Sequence, residues 1–163
     1  MAFDVTVVIP RGSRNKYAMD HRRHRIRLDR TLFTATRYPA DHGYVEGTRG
    51  RGGEPLGALV VLRDPTFPGC VVECRAIGLY VLRDEKGTEE QVLCVPARDP
   101  RYAALQDIGD VPEFQRREIA HFFEVYKELE PGGSVEGSHW ADRAAASAEI
   151  EASRQRAARA EGP

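Results

Sequence analysis

Residues 38–59 read YPADHGYVEGTRGRGGEPLGAL, and two features of this stretch organise the chain around it. Its middle, residues 47–53, is a Gly/Arg-rich bend and the chain's only low-complexity tract, and glycine there supplies the backbone freedom that a tight change of direction needs. Beyond the bend, the apolar run 58–62 is too short for a helix and is bounded by turn residues, which predicts a buried strand.

Similar short or alternating apolar runs recur at residues 4–10, 25–28, 71–77, 78–83 and 91–96, the pattern of a small antiparallel barrel. Between two of these strands lies His21-Arg22-Arg23-His24-Arg25. It has no interleaved aromatics and belongs to a chain that is neutral overall, so it reads as a solvated hairpin turn rather than a nucleic-acid patch. Helical periodicity then takes over. Within residues 112–129, Ile119, Phe122, Phe123 and Tyr126 fall at i, i+3, i+4 and i+7, with Asp110 or Val111 before Pro112 as the entry and Pro131-Gly132-Gly133 as the stop. A second, Ala-rich helix is predicted over about residues 141–159, with Trp140 and Ile150 as its large apolar residues and an end that frays into a tail to Pro163.

The length, 163 residues, suits one core, so one domain over 1–163 is expected. Lys plus Arg number 24 and Asp plus Glu 25, and the resulting net charge of -1 provides no global field to recruit nucleic acid or an anionic membrane. The N-terminus lacks the basic start and apolar length of a secretory signal, and nothing approaches a membrane span. Cys70, Cys74 and Cys94 are odd in number and have no CxxC spacing, which predicts reduced core thiols and a cytoplasmic protein.

At residues 52–57 the chain reads Gly52-Gly53-Glu54-Pro55-Leu56-Gly57, in line with a loop that reads DGDPxD in a known family. Five further blocks are collinear with that family: IPRGSRNKY from Ile9, RLDR from Arg27, FPGCVVECRAIG from Phe67, DEKGTEEQVLCVP from Asp84 and IAHFFEVYKELEPG from Ile119. Together they resemble the soluble family I inorganic pyrophosphatases, of the actinobacterial type, from near Phe3 to about Ser153. The resemblance implies an α+β fold that is mainly β, a five-stranded OB-like closed β-barrel with two flanking α-helices. It also implies a homo-oligomer, trimer or hexamer, in which the helix carrying His121 is a plausible contact.

That family hydrolyses pyrophosphate to two phosphates with several Mg²⁺ ions. Phosphoryl transfer is mostly positioning and charge neutralisation, and Mg²⁺ requires convergent oxygen ligands, which is why the motifs are rich in cations and carboxylates. Carried over by position, Lys16, Arg30, Tyr126 and Lys127 imply the substrate grip, with His42 where a phosphate-contacting Tyr is expected and Tyr38 matched. Asp84 and Glu89 imply remaining metal ligands, and Glu54 or Glu89 the base toward a metal-bound water.

The carboxylate side is depleted. Val8, Ala18, Gly52 and Gly57 stand where the family has acids, while Gln91 stands for a Lys, so four negative charges and one positive are lost and the site is three units more positive. Glu54 and Glu89 replace Asp, which moves each carboxylate by about 1 Å, a displacement that can cost about a hundredfold in rate. Arg49 and Arg51 flank the emptied loop, where loop arginines ordinarily point to water. Two readings follow: a Mg²⁺-dependent pyrophosphatase of weak activity, or a pseudoenzyme that binds phosphate or pyrophosphate, or joins an intact paralogue, without turnover.

Overall fold

The computed structural model describes residues 1–161, so the last two residues of the expected tail lie outside the described residues. Eight strands and two α-helices follow in the order β1 (Ala2–Ile9), β2 (Asn15–Asp20), β3 (Arg25–Thr31), β4 (Asp41–Val45), β5 (Gly57–Val60), β6 (Val71–Asp84), β7 (Gly87–Pro96), α1 (Glu113–Val125), β8 (Val135–Ala141) and α2 (Arg143–Ala160). The fold is mainly β with two helices. Six strands form one sheet in the order β1-β4-β5-β7-β6-β8, and β1 is hydrogen-bonded to β6 as well as to β4. The β2–β3 hairpin stands apart as a two-stranded sheet, and its turn is the basic run at 21–24, where the Asp20 carboxylate accepts the Arg22 and Arg23 N–H groups.

Several features differ from the sequence reading, among them β2, which no apolar run announced. The β5–β7 pair is parallel, not antiparallel, because β6 runs back between them in sequence and returns β7 in the direction of β5. The runs 71–77 and 78–83 form the single strand β6. Gly78 interrupts the apolar pattern for a packing reason: a Cβ there would lie 2.8 Å from Ile108 Cδ1. Strand β4 was hidden by Gly43, where a Cβ would come within 2.8 Å of the Val7 Cα; the missing side chain lets β4 press against β1. Strand β8 precedes α2, which starts at Arg143 once the Asp142 carboxylate caps the Ala145 N–H at 2.9 Å.

Helix α1 begins after Pro112 without a side-chain cap, since the Asp110 carboxylate is spent on the N–H groups of Gln106 and Asp107 in the preceding turn. It ends at Val125, short of residue 129. Its stripe of Ile119, Phe122 and Phe123 packs with Tyr38, Tyr80, Leu82 and Leu93 in one apolar cluster. A second cluster under α2 joins Ala146 and Ile150 to Phe3, Val5, Val7, Val92 and Cys94. Cys74 and Cys94 are buried free thiols as expected, whereas Cys70 is only half-buried because it lies in the loop leading into β6. No helix among the described residues is long and apolar enough to cross a membrane.

Candidate functional site

A cleft of about 390 Å³ opens where the 50–57 loop, the β6–β7 hairpin and the end of α1 meet. His42, Glu54, Asp84, Glu89 and Lys127 line it, so five of the expected site residues converge although they come from distant parts of the sequence. Lys16 and Tyr126 adjoin it through Lys127: the Tyr126 ring has Lys127 Nζ 5.4 Å and Lys16 Nζ 6.0 Å from its centroid. Arg30 pairs with Lys16 across the β2–β3 ladder.

The cationic side is held by carboxylates of its own. Arg30 donates from Nε to Glu130 at 2.7 Å and from one terminal nitrogen to Asp29 at 2.7 Å, and Lys16 Nζ lies 3.8 Å from the same Asp29. Lys127 Nζ stands 3.6 Å from Asp84 Oδ2, while Asp84 Oδ1 accepts the Lys86 N–H and so closes the β6–β7 turn. Asp84 therefore serves both the hairpin turn and the cleft. Burial, then the neighbouring Arg30 charge, lowers the Lys16 ammonium below its ordinary value. The two phenols respond the other way. Burial first, and Glu89 among the nearby charges, hold Tyr126 and Tyr38 far above the usual phenol range, so both are protonated donors throughout the neutral range.

The loop side is organised differently. Gln91, on β7, bridges two expected site residues: its Oε1 faces His42 Nε2 at 3.1 Å, and its Nε2 donates to Glu89 at 3.1 Å. Its amide fills the space beside Gly57, its β5 partner in register, where a Cβ would lie 2.7 Å from Gln91 Cδ. His42, Gly57, Glu89 and Gln91 thus form one interlocked set. His42 stacks on Tyr38 with centroids 5.6 Å apart, and its Nδ1 is buried without a partner. Burial lowers the ring pKa to about 4, against the opposing pull of the Gln91 hydrogen bond, so near neutral pH His42 is uncharged and its Nε2–H is committed to Gln91 rather than free for an anion.

Arg51 does not point idly to water. Its Nε donates to Glu90 at 2.6 Å, and a terminal nitrogen lies 3.7 Å from Glu149 on α2. Glu149 is 7% exposed and also receives Arg156. Neither Glu90 nor Glu149 was expected in the site. Glu90 reads as a solvated strand edge and Glu149 as one charge among many on an Ala-rich helix, although the spacing of Glu149, Ser153 and Arg156 on one face of α2 was a usable signal. Glu130 was likewise missed. Val8 is buried in the apolar cluster next to Ile9 and Tyr38, and Ala18 is exposed on β2. His121 is exposed beside a separate shallow hollow with Arg11 and Arg37.

Mg²⁺ keeps several waters and takes one or two protein carboxylates together with substrate phosphate oxygens, so a multi-metal centre needs carboxylates that converge and are free of other partners. Asp84 is engaged by Lys86 and Lys127, Glu89 by Gln91, and Glu54 is exposed on the loop. Among the described residues no three His, Cys, Asp or Glu side chains gather where they could hold a metal ion. As they stand, the cleft carboxylates are engaged by protein partners or exposed, and no shared metal position is formed among the described residues.

Residues 5–158 match the family model described as inorganic pyrophosphatase. An inorganic pyrophosphatase of Streptomyces coelicolor is 60% identical over 156 residues, covering 96% of both chains. The crystal structure of inorganic pyrophosphatase from Thermus thermophilus superposes with a TM-score of 0.93 at 44% identity, covering 96% of this chain and 91% of that one. The Helicobacter pylori inorganic pyrophosphatase gives a TM-score of 0.91 at 32% identity, covering 96% and 94%. With this match along nearly its whole length, the chain belongs to the inorganic pyrophosphatase family.

Proposed function

We propose that this protein binds inorganic pyrophosphate or phosphate in the cleft between Lys127 and the 50–57 loop, and hydrolyses pyrophosphate slowly or not at all. The observation that carries this reading is the interlocked His42–Gln91–Glu89 wall, whose Gln91 amide occupies the space beside Gly57 where the family has an acid. The grip consists of Lys16, Arg30 and Lys127 as cations, with Tyr126 and Tyr38 as neutral hydroxyl donors. A bound phosphoryl group takes over from Asp29 and Asp84 part of the charge pairing that these cations already have, so the expected affinity is moderate. Glu54 and Glu89 are the carboxylates available as proton acceptors toward a water in the cleft.

The 60% identity with a protein named inorganic pyrophosphatase favours residual Mg²⁺-dependent hydrolysis as the second reading. We further read the cycle of pairings β1–β4–β5–β7–β6–β1 as the OB-like closed barrel, in a single cytoplasmic domain. We also propose association into a trimer or hexamer, with α1, where His121 is exposed, as the contact. Phosphate release in saturating Mg²⁺, with protein freed of host enzyme, separates the two readings. The expected rate is at least about 10³-fold below that of a family member with an intact DGDPxD loop, since losing one electrostatic stabiliser costs about 10²–10³. Turnover within about tenfold of that comparator, less than the cost of even one lost stabiliser, would overturn the proposal.

A further inference from the structure

On the outer side of the 50–53 loop, against the end of α2, lies a second hollow of about 430 Å³. Arg49, Arg51, Arg156 and Arg159 line it together with Gly50, Gly52 and Gly53, and among the described residues no carboxylate does. The acids that partner Arg51, Glu90 and Glu149, face the cleft instead. Arg51 thus divides the charges, with carboxylates on the cleft side and guanidinium groups on the outer side.

The hollow is built rather than incidental. The Arg49 N–H donates to Ser153 O at 2.9 Å, and Arg156 Nε donates to Arg49 O at 2.9 Å, so the loop is sewn to the helix at both backbone groups of one residue. Arg156 is fixed further by Glu149 and by Ser153 Oγ at 3.0 Å. The Arg49 guanidinium lies over Gly53, where a Cβ would be 3.7 Å from its terminal nitrogen, and Gly53 has a φ of 92° that an L side chain rarely adopts. Among the described residues neither Arg49 nor Arg159 has an ion-pair partner. One arginine in the last turn of a helix is ordinary dipole complementation. Four on one concave surface, two of them unpaired, create a local positive field in a chain whose net charge is -1.

We propose that this hollow is a second anion site, for a chain of three or more phosphoryl groups such as inorganic tripolyphosphate or the triphosphate of a nucleotide. The planar fork of arginine matches phosphate oxygens in pairs, and several guanidinium groups along an open surface suit an extended, multiply charged chain better than a single phosphate. The site shares Arg51 with the cleft but is distinct from it.

Calorimetric titration of the full-length protein with inorganic tripolyphosphate in chelator tests the site. Two binding classes are expected. Arg49→Ala/Arg159→Ala should weaken one class by about tenfold or more, as expected for lost charge-assisted hydrogen bonds, and leave the other in place. Lys127→Ala should remove the class that the double variant retains. Both side chains of the double variant are exposed and unpaired, and an unchanged thermal midpoint confirms that it stays folded. A single class abolished by Lys127→Ala, or two classes that both ignore the arginine double variant, would overturn the proposal. Adenosine triphosphate in place of tripolyphosphate then distinguishes the sources: equal loss on the double variant marks recognition of the phosphate chain alone.

Discussion

The two halves of the cleft have met their charge requirements in different ways. On the cation side, Lys16, Arg30 and Lys127 keep the positions that the family resemblance implies, and each rests against a carboxylate, Asp29, Glu130 or Asp84. On the loop side the carboxylates are tied up differently: Glu89 accepts from the neutral Gln91 amide, which also faces His42, and Glu90 and Glu149 are paired with the half-exposed Arg51. The cations are braced by carboxylates of the protein itself, so their arrangement does not depend on a bound metal.

The sharpest attempt to break this contrast is to rebuild the loop side. Gly52 has open space around it, so Gly52→Asp should be accommodated, but Gly57→Asp alone pushes into the Gln91 amide and should lower stability. Combining both with Gln91→Lys, Glu54→Asp and Glu89→Asp should raise pyrophosphate hydrolysis in Mg²⁺ by about 10²–10³, read by phosphate release. If Gly57→Asp is tolerated as well without the Gln91 change as with it, the loop-side residues are not interlocked.

A smaller effect comes from His42. Its folded pKa of about 4 lies below the ordinary 6.5, so between those values the unfolded chain binds more protons than the folded one. Stability is fully present above pH 6.5 and is lost as pH falls toward 4, by up to about 3 kcal/mol. Denaturant melts from pH 7 to 4 should show this slope in the wild type and a shallower one in His42→Phe; identical slopes would mean that the imidazole is not sealed into the loop-side wall.

On the cation side, Lys127→Ala should weaken pyrophosphate binding by about 10–100-fold in the absence of Mg²⁺, as expected for a charge-assisted contact. It should leave the fold intact, since the losses are the pairing to Asp84 and the contact over the Tyr126 ring, while Asp84 still accepts the Lys86 N–H. Equilibrium dialysis at fixed ionic strength measures it. The smallest expected effect is Glu149→Gln. Removing one partner of a fully buried pair costs about 3–5 kcal/mol, but Arg156 and Arg51 are 29% and 59% exposed, which reduces the expectation to about 1–2 kcal/mol in chemical denaturation.

Much of this contrast was written in the residue order. Periodicity located α1 and most strands, and the collinear blocks pointed to Asp84, Glu89 and Lys127, which the fold brings to one cleft. What sequence reasoning missed depends on contacts between distant segments. Gly43 and Gly78 interrupt strand patterns because Val7 and Ile108 press on them. Glu149 and Glu90 look solvated until α2 and β7 bring them to Arg51. The mutual fit of Gly57 and Gln91 follows from a parallel strand pair that alternation in the sequence does not disclose.

Whether the cation side of the cleft holds an anion without metal is read most directly by calorimetric titration of the purified protein with pyrophosphate in excess chelator. Saturable binding that weakens in Lys16→Ala and Arg30→Ala is the predicted result. An absolute requirement for Mg²⁺, or binding indifferent to both substitutions, would contradict the account.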